Sequence, residues 1–174
     1  MQMFIALAHS LPAFLGCAWL ALLQHPAAIS NLRQDPALLP KAIDELLRLA
    51  GPAKAQFRQA VSAVAIPGGT IQPHQHVILM LDAANRDAEQ FPNPDELQFD
   101  RRSGGHLAFG TGLHACVAAG LIKSAAAAAT QALIGPFRFP ERYIAVPGRY
   151  FAMRCLRSLI VRLEPLPAAP GDRP

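Results

Sequence analysis

The stretch Phe109–Cys116 reads FGTGLHAC, and the fold turns on what its cysteine is for. The run that follows, Ala118–Ile134, holds five consecutive alanines and stops at Gly135-Pro136, which predicts a long helix. Cys116 therefore closes a glycine loop at the start of a helix. A helix N-terminus carries partial positive charge and free N–H groups, which favour a thiolate. Gly110 and Gly112 let the backbone turn tightly and approach a flat surface. Two uses are open: a small buried hydrophobe packed under a helix, or a thiolate ligand with backbone donors aimed at its sulfur. The glycines and His114 favour the ligand. Zinc suits the stretch poorly, because there is no CxxC and His114 with Cys116 needs two more ligands from far away. Iron in a haem needs only one thiolate from the protein.

Composition bounds the rest. The chain has 174 residues, enough for one domain with a core of its own. Apolar residues make up 52% and charged residues 16%, so much of the chain must be buried. The net charge of +4 is mild and its basic residues are scattered, which argues against nucleic acid. Three cysteines without regular spacing form no disulfide framework, and point to a reducing cytoplasm.

The apolar stretch Met3–Leu23 has no formal charge and is about long enough to span a bilayer. A membrane span, a signal peptide and a buried central helix are all open. No Lys or Arg precedes it, against a signal peptide. His9, Ser10 and Pro12 interrupt it, against a span. A helix apolar all round also suits the centre of a soluble fold, the reading adopted here.

Along the chain, Pro26 ends the first helix, Ala27–Leu32 reads as a short helix, and Asp35-Pro36 opens the next. Pro40–Leu49 has helical period and Gly51-Pro52 stops it. Arg58–Ala65 and Thr70–Leu81 read as strands around Pro67-Gly68-Gly69. Residues 82–105 form a long irregular segment, which Phe91 and Phe99 predict to be packed. Phe137–Leu163 suggests a terminal hairpin, and Pro165–Pro174 a disordered tail. The class is mostly α with small β-sheets.

The residues now carry a resemblance. FGTGLHAC with Ala118 resembles the haem-thiolate loop of the cytochrome P450 family, soluble bacterial type, whose pattern is Phe-Gly-x-Gly-x-His/Arg-x-Cys-x-Gly/Ala. Glu45-Leu46-Leu47-Arg48 resembles the family's Glu-x-x-Arg pair. Ala83–Asp87 and Phe91–Asp95 resemble the meander that follows. The likeness runs in order from about Phe4 to Leu163. It implies a partial P450 domain over 1–164, the C-terminal, haem-binding part of that fold.

The resemblance implies roles. Cys116 is the axial ligand and sole metal-binding residue, with haem b (iron protoporphyrin IX) as cofactor. Phe109, Gly110 and Gly112 shape the loop around it. Arg58, His106 and His114 resemble the haem-propionate partners. Glu45 and Arg48 are a buried structural pair whose usual third member is an Arg or His. Glu96 stands in that place and cannot donate to Glu45, so Arg101 or Arg102 is the expected substitute. His74 and His76 are expected to be solvated.

Two departures stand out. Counting back from His25-Pro26, Ala6–Ser10 falls on the family's oxygen-activating segment, Ala-Gly-x-Asp/Glu-Thr. Leu7 replaces the glycine, His9 the carboxylate, and Ser10 keeps a hydroxyl. Ser10 and His9 are thus the catalytic candidates, set against a plain polar pair inside a core helix. Family members are also more than twice as long. The elements that precede the central helix are expected to be missing, leaving an apolar face on Met3–Leu23 open to self-association.

The functional expectation is a haem-thiolate monooxygenase, or its C-terminal portion, that inserts one oxygen atom of O2 into an apolar substrate. A ferredoxin-type partner is expected to dock on a basic face that includes Lys123 and Arg102. The alternatives are an inactive, truncated relic or haem-binding fragment, and a membrane-anchored small protein. The location expected is cytoplasmic, with no membrane partner.

Overall fold

The computed structural model describes residue 4 and residues 6–101, 105–140 and 142–167. Three helices carry the core: α1 (Leu11–Gln24), α3 (Leu39–Ala50) and α5 (Ala119–Ile134). A short α2 (Pro26–Gln34) joins the first two, and α4 is a single turn, Leu81–Ala84. Each boundary has a local cause. Pro26 cannot continue α1 and instead opens α2. The Asp35 carboxylate accepts the Ala37 N–H at 3.0 Å and starts a 3₁₀ turn, Pro36–Leu38, that leads into α3.

A π-helical turn, Ala6–Ser10, precedes α1. Pro12 follows in the first turn of α1, where its missing N–H costs least. Such wide turns re-aim side chains locally. The run Leu7–Gln24 is long and apolar enough to cross a membrane. Yet Phe14, Cys17, Ala18, Ala21, Leu22 and Leu23 are buried within the fold. Phe14, Ala18, Ala21 and Leu22 meet Ile43, Leu46 and Leu47 of α3, and Ala126 and Ile134 of α5, in one cluster. Each fully buried Leu, Ile or Phe there stabilises by roughly 1.5–3 kcal/mol. The Trp19 indole N–H donates to the buried Thr130 hydroxyl at 3.2 Å, the polar tie between α1 and α5.

The expected pair of short strands around Pro67-Gly68-Gly69 is two hairpins, one beyond the other. β1 (Gln56–Gln59) pairs antiparallel with β4 (His76–Leu79), and β2 (Val64–Ile66) with β3 (Gly69–Ile71). The chain bends at residues 60–63, where mutual hydrogen bonds link Ala60 to His74 and Gln75 instead of continuing a ladder. The terminal hairpin is present: β6 (Tyr143–Pro147) pairs with β7 (Leu156–Val161), while β5 (Phe137–Arg138) pairs with β8 (Glu164–Pro165). The expected tail therefore begins too early. Pro165 belongs to β8 and Leu166 donates its N–H to Pro136 at 2.8 Å, while 168–174 lie outside the described residues.

Residues 82–101 are packed by charge. Arg48 is 1% exposed and Glu45 5%. Arg48 donates to both Glu45 carboxylate oxygens, at 2.9 and 2.8 Å, and to the carbonyls of Asn85 and Pro94 at 2.8 and 2.7 Å. Its guanidinium lies over the Phe91 ring. The third member is Arg101, whose Nε donates to Glu45 Oε1 at 3.0 Å and whose Nη1 reaches Pro92 at 2.6 Å. Glu96 joins through its backbone carbonyl, which accepts from Arg48, while its carboxylate turns to the Gln98 amide. Arg101 is thus the substitute for Glu96 at Glu45. Arg102 lies outside the described residues.

Candidate active site

The loop of the cysteine is built from backbone hydrogen bonds. Gly110 N–H donates to Leu107 at 3.0 Å, Cys116 N–H to Phe109 at 2.8 Å, and Ala115 N–H to Gly112 at 3.0 Å. Two changes of direction fit into so few residues because Gly110 and Gly112 sit at φ +66° and +72°, in the left-handed region. Helix α5 begins at Ala119, one residue beyond the expected start, and its first N–H donates to Cys116 at 3.2 Å. Cys116 is held by its own N–H and its own carbonyl, just outside the helix N-terminus.

Its side chain lines a cleft of about 510 Å³. Ser10, Arg58, Phe109, Gly110 and His114 line the same cleft. Apolar groups from four other segments complete the wall, chiefly Phe14, Ala55, Phe57 and Met153. These last were not foreseen. They are ordinary apolar residues that long-range packing brings together, with no local motif to mark them.

The other expected site residues fall elsewhere. His9 is exposed and lies outside the cleft, while its neighbour Ser10 is half-buried and lines it. Gly112 shapes the loop without lining the cleft. His106 also lies outside it. Its Nε2 stands 3.9 Å from Asp44 Oδ1, its Nδ1 accepts the Ala108 N–H at 3.3 Å, and its ring packs near Phe109. Burial lowers its pKa below 6.5 and Lys123 adds to this, while Asp44 opposes. Lys123, expected on a free basic face, approaches Asp44 at 2.7 Å. The angle is poor, and Asp44 Oδ1 is buried without a hydrogen bond among the described residues. Arg58 is an exposed strand residue, and its Nη1 donates to the carbonyl of Phe57 at 2.8 Å. His74 and His76 are exposed, as expected.

The model of the family described as "Cytochrome P450" matches residues 24–140, more than half of the chain. The chain belongs to the cytochrome P450 family. It is 41% identical over 160 residues to cytochrome P450 107B1 of Saccharopolyspora erythraea, covering 90% of this chain and 38% of that protein. It is 38% identical over 149 residues to the biotin biosynthesis cytochrome P450 of Bacillus subtilis, covering 83% of this chain and 37% of that protein. Among solved structures, CYP109E1 from Bacillus megaterium, in complex with corticosterone, superimposes with a TM-score of 0.85 at 26% identity. That match covers 92% of this chain and 45% of the other. The chain thus spans well under half the length of the P450s it matches. The fold, mostly helical with small sheets, is that of the corresponding part of a P450.

P450s bind haem b, and the cleft suits it. A flat macrocycle asks for apolar walls, one axial donor and cations for two carboxylates. Apolar residues dominate the lining, Cys116 is the one thiol among them, and Arg58 and His114 are at hand. Among the described residues no group of three His, Cys, Asp or Glu could hold a bare metal ion, whereas the iron of a porphyrin asks the protein for a single thiolate.

Proposed function

We propose that this chain is the haem-binding part of a P450 monooxygenase, with Cys116 as the thiolate ligand. The observation that carries the proposal is the meeting of Cys116, Arg58 and His114 in one mainly apolar cleft. Arg58 and His114 hold the haem carboxylates, each as a donor to an anion. Phe109, Gly110 and Gly112 keep the loop in the one conformation that presents the sulfur. Haem with a thiolate ligand supplies oxygen activation, since the thiolate pushes electron density to iron and favours O–O cleavage.

Ser10 is assigned to hold or pass a proton beside the bound group, a reading supported by its place in the lining of the cleft and by its hydroxyl. His9, exposed, is assigned no step. Leu7, where the family has a glycine, narrows the room at that turn. The substrate class is an apolar small molecule, and electrons come from a ferredoxin-type protein in the cytoplasm. Lys123 is half engaged by Asp44, so it adds less to a basic docking face than a free lysine.

The test is reconstitution. Purified chain titrated with haem is expected to bind it stoichiometrically and, once reduced and exposed to carbon monoxide, to show the long-wavelength Soret band of a thiolate-ligated haem. Oxygen-dependent gain of one oxygen atom by an apolar substrate, with ferredoxin and its reductase supplied, tests the activity itself. Haem uptake with only the short-wavelength band contradicts the assignment of Cys116.

A further inference from the structure

We infer that Asn85 is a positioning residue for the cysteine loop: its side chain sets the register in which Cys116 is presented. Asn85 follows α4 directly and is 3% exposed. Its backbone carbonyl accepts Arg48 Nη1 at 2.8 Å. Its side-chain Oδ1 accepts the N–H of Leu107 at 2.7 Å. The Leu107 carbonyl in turn accepts the Gly110 N–H at 3.0 Å, and one residue along, the Phe109 carbonyl accepts the Cys116 N–H at 2.8 Å.

An unbroken line of hydrogen bonds and short chain thus joins the buried Glu45–Arg48–Arg101 cluster to the backbone of Cys116. Asn85 is its one side-chain link. Its two oxygens bond in different directions: the main-chain oxygen serves the charge cluster and the side-chain oxygen serves the loop. The loop needs such an anchor. Its glycines at positive φ give it conformational freedom at Gly110 and Gly112, and its remaining local bonds close small rings that can move as a body. The Leu107 N–H sits at the loop's entry, where a fixed acceptor decides where the whole turn begins. An acceptor is what the place needs, and the cluster beside it, with two guanidiniums to the one Glu45 carboxylate, tolerates either an amide or a carboxylate there.

The placement of Asn85 stands on geometry alone; its consequence for haem ligation rests on the proposed role of Cys116. Amide hydrogen exchange on the full chain, with and without haem, is the test. In the unaltered protein the Leu107 amide is expected to exchange far more slowly than that of exposed Val61. Asn85→Ala is expected to speed exchange at Leu107 and Cys116 by about tenfold or more, while the β6–β7 amides change little. Asn85→Asp, which keeps the acceptor, is expected to restore both. In the reduced carbon monoxide complex, Asn85→Ala is expected to shift absorbance from the thiolate-type band to the short-wavelength one, and Asn85→Asp to bring it back.

Exchange at Leu107 as fast as at Val61 in the unaltered chain overturns the inference, whether or not the alanine variant folds. So does uniform acceleration across β6–β7 in Asn85→Ala, which marks simple loss of stability. If the unaltered chain lacks the thiolate-type band, the role of Cys116 fails, and exchange at Leu107 and Cys116 still decides the role of Asn85.

Discussion

The N–H of Cys116 donates to the carbonyl of Phe109 at 2.8 Å, across six intervening residues that hold both left-handed glycines. That single bond closes the loop and holds Cys116, a residue of the cleft wall, just ahead of α5. Everything on that wall depends on two residues adopting a backbone conformation that side chains resist.

Gly110→Ala and Gly112→Ala are therefore expected to cost about 1–2 kcal/mol each, although a methyl group meets no close atom at either place. The strain lies in φ and not in space. Denaturant melts measure the stability, and haem titration is expected to show weaker uptake in both variants. Gly120→Ala, within α5 and with open space around it, is expected to be neutral or mildly stabilising.

Arg101 and Glu96 separate charge from backbone. Arg101→Ala leaves Glu45 short of a partner and frees the carbonyls of Pro92 and Asn93, and is expected to destabilise by about 3 kcal/mol. Glu96→Ala keeps the carbonyl that Arg48 uses and is expected to stay within about 0.5 kcal/mol of the unaltered protein. Thermal unfolding of the two variants side by side checks both.

Acid should find the same cluster. Burial works to raise the Glu45 carboxyl, but Arg48, the Gln98 N–H and Arg101 hold it below its ordinary 4.5. The folded pKa is depressed, so the stability Glu45 supplies is complete above the unfolded value and is lost as pH falls through the folded one. Melts between neutral pH and about pH 3 are expected to show Glu45→Gln less stable at the top of the range, with the gap narrowing towards the bottom.

Arg58 and His114 are assigned to the haem and to little else. Arg58 is exposed and, among the described residues, its side chain bonds only to the neighbouring Phe57 carbonyl. Arg58→Met and His114→Phe are expected to lower haem affinity by about tenfold each, the worth of a charge-assisted hydrogen bond. Unfolding of the haem-free chain is expected to be unchanged. His106→Phe, by contrast, is expected to disturb the Asp44–Lys123 contact and haem-free stability more than haem affinity.

The cysteine loop was legible because its chemistry is local: two glycines, a sulfur and a helix start lie within a dozen residues. The helix pair Glu45–Arg48 was legible for the same reason, through i, i+3 spacing. Arg101 could be narrowed only to two adjacent arginines, since nothing in a sequence tells which one turns inward. His106 and His114 look alike as histidines beside a glycine loop, but Asp44 on α3 draws the first away from the cleft. The π turn before Pro12, which holds His9 and Ser10, has no simple sequence mark. Asn85 and Met153 were hidden because they work across the tertiary fold: the first through Leu107, the second as part of the cleft wall.

The central claim is that the Cys116 sulfur is the protein's ligand to haem iron, and Cys116→Ser tests it most directly. The haem-loaded serine variant, reduced and exposed to carbon monoxide, is expected to lose the thiolate-type Soret band entirely while its haem-free unfolding stays within about 1 kcal/mol of the parent. A serine variant that keeps that band contradicts the account.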